Sequence, residues 1–388
     1  MITAEELSSV LDYEPNEAPI TTLYLSIDPE AKKQDQHKIK LKEMFRYKTE
    51  KSYFKNLTEE AQQSVENDFK QIEDYVNMDF DDEIASAKSM VIFSCSANNL
   101  WENRKFAVPM ETSMVVNPHP YLRPLVEASS QHRNYAIILV DRNKARILEV
   151  DLDGTHELLN IEEADIPDQV REGGDKKGLT GGTSERQIER HINTHVKRHL
   201  KNVAEEAMKL QQENNFSWIY LGGRQEIINE FEKVLHSYVT EKVQGQLVVE
   251  PNATLDLVLE KAREAEEKSV KKYEEQLIAK LTEEVSRQAK GIAGMLGVLD
   301  AQQKGQIETL VVHDELSQKG YYCPECNYLG INEDDQCPLH EVELKRTPDI
   351  VDELIYQSMK QGASVEIVSQ DMSDFNQVGA LLRFPVQK

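Results

Sequence analysis

The chain has 388 residues, more than one ordinary core holds at about 100–200 residues per domain, so several compact domains are expected. An apolar share of 39% excludes wholesale disorder, while 45 Lys and Arg against 69 Asp and Glu give a net charge of −24 that repels polyanions and leaves only local basic patches for any RNA contact. No apolar run approaches the roughly 18–20 residues of a membrane helix, and Glu5 and Glu6 stand where a secretory leader would carry Lys or Arg, so a cytoplasmic protein is expected.

In chain order, residues 1–134 read as a first α/β domain. Alternation through Thr22-Leu23-Tyr24-Leu25-Ser26-Ile27 predicts one strand, and the run 89–95 predicts a second, more deeply buried. Between them two polar helices are predicted. The first is the most basic segment of the chain, with Lys38, Lys42 and Arg46 among its cations and Phe45, Tyr47, Tyr53 and Phe54 interleaved; the second, over 58–78, is acidic. Two readings stand side by side: a hairpin whose charges match, or an RNA-facing helix. Asn117-Pro118-His119-Pro120 and the polar run 129–134 mark the boundary.

A second domain spans 135–267. The run 135–140 predicts a buried strand, and tight turns lead on to strands over 145–150 and 157–161, a three-stranded meander. An irregular stretch over 165–183 follows, then a helix to about 212, a strand over 218–221, Gly222-Gly223, a helix over 225–239 and a strand over 247–249. Such alternation indicates an α/β domain. Residues 254–290 are helical by their apolar spacing and free of Pro and Gly, as in a helix that bridges domains. The third domain, 268–388, reads as an α/β/α sandwich with a helix at 294–303, a strand at 309–313, an insert at 318–345, a helix at 349–361 and strands at 365–369 and 380–384.

The insert carries the strongest motif. Cys323-Pro-Glu-Cys326 and Cys337-Pro-Leu-His340 are two knuckles ten residues apart, a spacing that lets four soft ligands converge on a tetrahedral Zn²⁺. Four protein ligands leave no open position for an activated water, so the predicted ion is structural and the insert is a zinc-ribbon-like minidomain. The other notable segment runs from Arg171 through Thr183-Ser184, with five glycines, into a helix on which Arg186, Arg190, Lys197 and Lys201 recur on one side, Arg198 beside them. Eight Lys and Arg face four acids between 171 and 201, and Ser184 is the expected N-cap. Glycine lets backbone approach a phosphate closely, so this loop and helix form the candidate RNA face. His191, His195 and His199 follow helical spacing, read as a polar stripe rather than a metal set. No Ser/His/Asp or Cys/His constellation can be picked out.

Together, Lys176-Lys177-Gly178-Leu179-Thr180-Gly181-Gly182-Thr183-Ser184, Arg186, Arg190 and Lys197-Arg198-His199 resemble the GGQ loop and basic helix of the archaeo-eukaryotic class 1 release factor and Pelota family, in its divergent bacterial branch. The preceding meander is similar to that of the family's second domain. His313-Asp-Glu-Leu, the knuckles, Gly362-Ala-Ser-Val-Glu-Ile-Val-Ser and Gly379-Ala-Leu-Leu-Arg-Phe are similar to its C-terminal domain, which carries a minidomain at the same place and has the fold of kink-turn-binding ribosomal proteins. Two departures stand out: Thr183 occupies the position of the family's catalytic Gln, and the first domain has no Asn-Ile-Lys-Ser codon reader.

The resemblance implies a ribosome-associated factor that docks in the A site of stalled or idle ribosomes, for rescue, recycling or hibernation. The Gly181-Gly182-Thr183 loop would reach toward the peptidyl transferase centre, and no catalytic residue is assigned. The alternative is a peptidyl-tRNA hydrolase or peptide-release enzyme in which that loop still orients a water. Implied partners are the ribosome, through rRNA and P-site tRNA, and a translational GTPase, with neither DNA nor a membrane. RNA contacts are expected from Lys176, Lys177, Ser184, Arg186, Arg190, Lys197, Arg198 and Lys201, with a second patch at Lys38, Lys42 and Arg46.

Overall fold

The computed structural model of the protein describes residues 7–13, 18–27, 36–78, 87–162, 181–326, 328–332, 336–340 and 342–385. Two compact units result: His132–Val270, and a unit that joins Met1–Gln131 to Lys271–Lys388. The fold is mixed α/β, with one sheet in each of three regions and a small fourth sheet in the cysteine insert.

The N-terminal region holds α1 (Ser8–Leu11), β1 (Ile20–Ser26), α2 (Gln36–Glu50), α3 (Ser52–Lys55), α4 (Glu59–Met78), β2 (Ser89–Cys95), β3 (Leu100–Phe106), β4 (Ser113–Asn117) and α5 (Arg123–Gln131). Its strands run antiparallel in the order β3-β2-β1-β4. The two expected strands are β1 and β2. β3 escapes a hydrophobic reading because it is an edge strand with Glu102 and Asn103 exposed at its centre. α2 and α4 cover one face, where Leu41, Val65, Phe69 and Ile72 meet Leu23, Leu25 and Ile92. These two helices pair chiefly through an apolar seam, with Phe45 stacked on Phe69 at 4.4 Å, while Lys42 lies 3.3 Å from Glu73 at the periphery. On α4, the fully buried carboxylate of Asp68 accepts hydrogen bonds from Thr21, Ser94 and Ser96, which pins the helix to the sheet. The expected linker at 129–134 is shorter than its polarity suggests, since Ser129 and Ser130 are buried residues of α5.

The unit His132–Val270 contains β5 (Tyr135–Val140), β6 (Lys144–Val150), β7 (Thr155–Glu162), α6 (Gly181–Asn214), β8 (Trp218–Gly223), α7 (Gln225–Glu232), α8 (Ser237–Thr240), β9 (Val243–Leu247) and the first half of α9 (Leu255–Ser286). The sheet order is β7-β6-β5-β8-β9; the meander is antiparallel, and β8 runs parallel to both β5 and β9. One face packs against α6 and α7 through Ile138, Val140, Ile147, Leu200, Val203 and Phe231. On the other, Tyr135 and Tyr220 meet edge to face at 5.2 Å. Two expectations change here. The helix over 225–239 is two helices broken near His236, and the strand at 247–249 moves back to 243–247. The apolar cue misleads because Val248 points to solvent at 96% exposed, while pairing of Val243 with Ile219 and Leu247 with Gly222 sets the strand.

The C-terminal region comprises the rest of α9, β10 (Gly291–Ala293), α10 (Met295–Gln303), β11 (Ile307–His313), β12 (Gly320–Tyr322), β13 (Leu329–Gly330), β14 (Lys345–Thr347), α11 (Ile350–Lys360), β15 (Ser364–Val368) and β16 (Val378–Leu382). Its main sheet has the order β10-β16-β11-β15, with β11 and β15 parallel. Leu277 and Leu281 of α9 pack on Val311, Val368 and Leu381. Gly379 is required beneath α9, since a Cβ there would sit 2.6 Å from Leu281. α5 guards the free edge of β15, where Ser130 Oγ accepts from the Ile367 amide at 3.1 Å.

The two parts of this unit meet through a polar and aromatic junction. His119 Nδ1 lies 2.7 Å from Glu353 Oε2, both side chains almost fully buried, and the imidazole stacks on Tyr356 at 4.6 Å. The Tyr356 hydroxyl reaches the Leu11 and Tyr13 carbonyls. Arg123 donates to the Asp314 carbonyl at 2.6 Å and lies 3.3 Å from Asp349.

Candidate functional site

α6 is the first candidate surface. Lys176, Lys177 and the other residues of 163–180 lie outside the described residues. The helix begins at Gly181, so Gly181, Gly182 and Thr183, expected as a loop tip, form its first turn, and Ser184 is a helical residue rather than the N-cap. The first-turn amides of a helix have no intrahelical acceptor, which makes a start at two glycines compatible with the chain. For 181–192 the helical backbone alone is described. Further along, Val196, Leu200 and Val203 are buried in the core, while Lys197, Arg198 and Lys201 are exposed on the opposite side. Arg186 and Arg190 fall at the helical register of Lys197 and Lys201, so one row of cations is defined by spacing. The histidine stripe divides: His199 is buried, whereas His195 is half-exposed with Arg198 3.3 Å from its Nδ1.

The second patch belongs to the other unit. Lys38, Lys42 and Arg46 follow one another at four-residue spacing on α2, with Lys42 and Arg46 exposed and Lys42 engaged by Glu73. This pairing has the small energy of an exposed ion pair, so Lys42 can exchange Glu73 for another anion at little cost.

The third candidate is the cysteine insert. Cys323 and Cys326 sit at the turn of the β12–β13 hairpin, where Tyr322 pairs with Leu329 and the Cys323 amide donates to the Tyr328 carbonyl. Cys337 and His340 sit at a second turn closed by a bridge between Gln336 and Glu343. The ligand atoms of Cys323, Cys326, Cys337 and His340 all lie within 4.8 Å of one another. Cys326 Sγ is 3.4 Å from Cys337 Sγ, and Cys337 Sγ is 3.5 Å from His340 Nδ1. Ligands about 2.3 Å from a tetrahedral ion stand roughly 3.7 Å apart, so the cluster has the dimensions of a metal site. Burial raises the Cys326 thiol well above its ordinary range. Burial also opposes ionisation of Cys337, but the Leu339 amide and the His340 ring outweigh it and lower that thiol. The four residues can hold a metal ion; three soft sulfurs and an imidazole suit zinc chemistry.

Spacing in the sequence points to these three candidate surfaces and not to the junction residues. His119 and Glu353 are separated by 234 positions, and no motif spacing announces a pair that distant.

Residues 120–267 match the family described as bacterial archaeo-eukaryotic release factor family 10, and residues 272–386 match domain 3 of eRF1. The chain is 27% identical over 329 residues to peptide chain release factor subunit 1 of Methanocaldococcus jannaschii, covering 72% of this chain and 75% of that protein. Among solved structures it is similar to archaeal termination factor aRF1, at 17% identity and a TM-score of 0.27 over 99% of both chains. It is also similar to archaeal Pelota in a model of its ribosome-bound form with ABCE1, at 16% identity and a TM-score of 0.40 over 77% of this chain and 78% of that one. Two consecutive family matches thus take in the meander, the basic helix and the cysteine-bearing C-terminal region, and over residues 120–267 and 272–386 the chain is similar to the archaeo-eukaryotic release factors, in their bacterial branch for the first of the two.

Proposed function

We propose that the protein is a translation factor that docks in the A site of stalled or idle ribosomes, in rescue, recycling or hibernation. The observation that carries this reading is the exposed row of Lys197, Arg198 and Lys201 on the helix that opens with Gly181-Gly182-Thr183, in a family-matched region of a chain with net charge −24. Against that acidic background a cationic row is a specific surface for phosphates rather than part of a general field. The cytoplasm is the compartment that fits such a factor.

The N-terminal end of α6 would face the peptidyl transferase centre and P-site tRNA, with Lys176, Lys177, Ser184, Arg186 and Arg190 supplying further RNA contacts. Lys38, Lys42 and Arg46 would make a second contact, and a translational GTPase would deliver or release the factor. Thr183 lacks the carboxamide of a release-factor glutamine, so the tip acts as a plug and releases peptide weakly at best. The insert carries one structural zinc ion on Cys323, Cys326, Cys337 and His340; metal analysis should return one zinc per chain, and Cys323→Ser should lose it.

Cosedimentation with purified bacterial ribosomes tests the reading. Binding should weaken steeply with salt, and charge reversal at Arg186 and Arg190 together should reduce it at least tenfold. Unchanged cosedimentation removes the α6 row from the function. On ribosomes carrying peptidyl-tRNA, rapid release by the unaltered protein, not improved by Thr183→Gln, would establish the hydrolase instead.

A further inference from the structure

The unit formed by the two ends of the chain contains a cavity of about 670 Å³ between α2, α3, the end of β4, the strands of the cysteine insert and the start of α11. That volume is within the range of about 300–1,000 Å³ typical of small-molecule sites. Its lining separates into three chemistries.

The first is cationic. Lys48, Lys51, Lys319 and Arg346 line the cavity, and among the described residues none of them is in a salt bridge. Lys51 Nζ sits 4.0 Å over the Tyr47 ring. Partial burial lowers the affinity of Lys48 for its proton, with Tyr47 opposing the shift and Lys51 adding the smallest part.

The second is aromatic. Tyr53, Phe54, Tyr121 and Tyr322 supply flat apolar wall. The third is a carboxyl end at α11. Asp349 is committed to Arg123 and to the Gln318 and Val351 amides, and Glu353 to His119. Asp352 Oδ1 is buried with no hydrogen-bond partner, the Arg123 guanidinium 3.9 Å away. Burial, and after it the charge of Asp349, raise its carboxyl to about 8 against the pull of Arg123, a shift that favours the protonated form. A neutral carboxyl donates one hydrogen bond and accepts another.

An anion-seeking rim, a stacking wall and a hydrogen-bonding end on one cavity match the three parts of a nucleotide. We propose that this cavity binds a purine nucleoside di- or triphosphate, with the phosphates against Lys48, Lys51, Lys319 and Arg346, the base among the tyrosines and its polar edge on Asp352. Because the cavity is walled by both ends of the chain, the ligand would tie the N-terminal sheet to the C-terminal region. The proposal is independent of ribosome docking.

Isothermal titration of the full-length protein with ATP, ADP, GTP and GDP, and with inorganic tripolyphosphate, tests it. One nucleotide should bind per chain, more tightly than tripolyphosphate. Lys51→Ala and Arg346→Ala, both at exposed positions, should each weaken it about tenfold or more while leaving the melting temperature unchanged. Asp352→Asn should alter the ratio of adenine to guanine nucleotide affinity, which identifies the base. The proposal is overturned by the absence of saturable binding for all four nucleotides. It is equally overturned if binding is indifferent to the Lys51 and Arg346 changes, if tripolyphosphate binds as well as any nucleotide, or if these cations respond only to a single-stranded RNA oligomer.

Discussion

The core of the middle unit and the junction of the other unit are both buried, but they are held by different forces. Between the middle sheet and α6 and α7 the contact is aliphatic and aromatic, Ile138, Val140, Leu200, Val203 and Phe231 among it, with strength set by area removed from water. At the junction, the joining contacts are an imidazole–carboxyl hydrogen bond, a guanidinium shared by Asp349 and the Asp314 carbonyl, and a stacked ring pair. An apolar core tolerates changes of pH and salt. The junction instead joins its parts through paired polar groups and sets the buried Asp352 carboxyl beside Arg123 and Asp349, so a single group there can make its stability depend on pH.

The comparison is broken most severely from the apolar side. Phe231 is fully buried, and Phe231→Ala should cost about 3–5 kcal/mol through lost transfer energy and the cavity left behind. Chemical denaturation should show that loss to be the same at acid and neutral pH; a strong pH dependence would contradict the account of this core.

At the junction, His119→Ala strands the Glu353 carboxyl, at about 1–3 kcal/mol, and removes a ring stacked on Tyr356, at about 0.5–1.5 kcal/mol. A loss of about 2–4 kcal/mol is expected. Limited proteolysis should find the N-terminal region opened while the His132–Val270 unit stays protected. Equal susceptibility of both would show that the junction does not act as a separate contact.

Asp352 sharpens the contrast through pH. In the unfolded chain its carboxyl ionises near 3.8, while in the folded chain burial first, and Asp349 second, against Arg123, raise it to about 8. Between those values the folded state holds a proton that the unfolded state has lost, so this group's contribution falls as pH rises, and above about 8 the full cost of a buried carboxylate is present. Asp352→Asn should therefore melt at or above the unaltered protein, by a margin that widens from about pH 5 to about pH 8. For a unit the size of the one that joins Met1–Gln131 to Lys271–Lys388, each kcal/mol is worth about 2–4 °C. A margin that narrows over that range would reverse the sign assigned here.

Much of this was legible along the chain. Tyr135–Val140 is a continuous apolar run, and a central strand buried on both faces needs one. The α9 helix was legible because 32 residues follow helical spacing without Pro or Gly. The knuckle spacing likewise brought four ligands together through local turns alone. β3 and the true position of β9 were hidden because edge strands need only one apolar side, and their register is chosen by the neighbouring strand rather than by their own composition.

By itself, then, the sequence determined whatever depends on neighbours a few residues apart: the central strands, the long helices, the cationic row of α6 and the Cys323, Cys326, Cys337 and His340 set. Only the tertiary structure decided that the first and last stretches of the chain share one unit, that His119 meets Glu353, and that Lys51, Arg346 and Asp352 line one cavity. Local periodicity is a property of helix and strand geometry and can be read along the chain. Which distant surfaces meet depends on complementary shape and charge across elements, and no spacing in the chain encodes that.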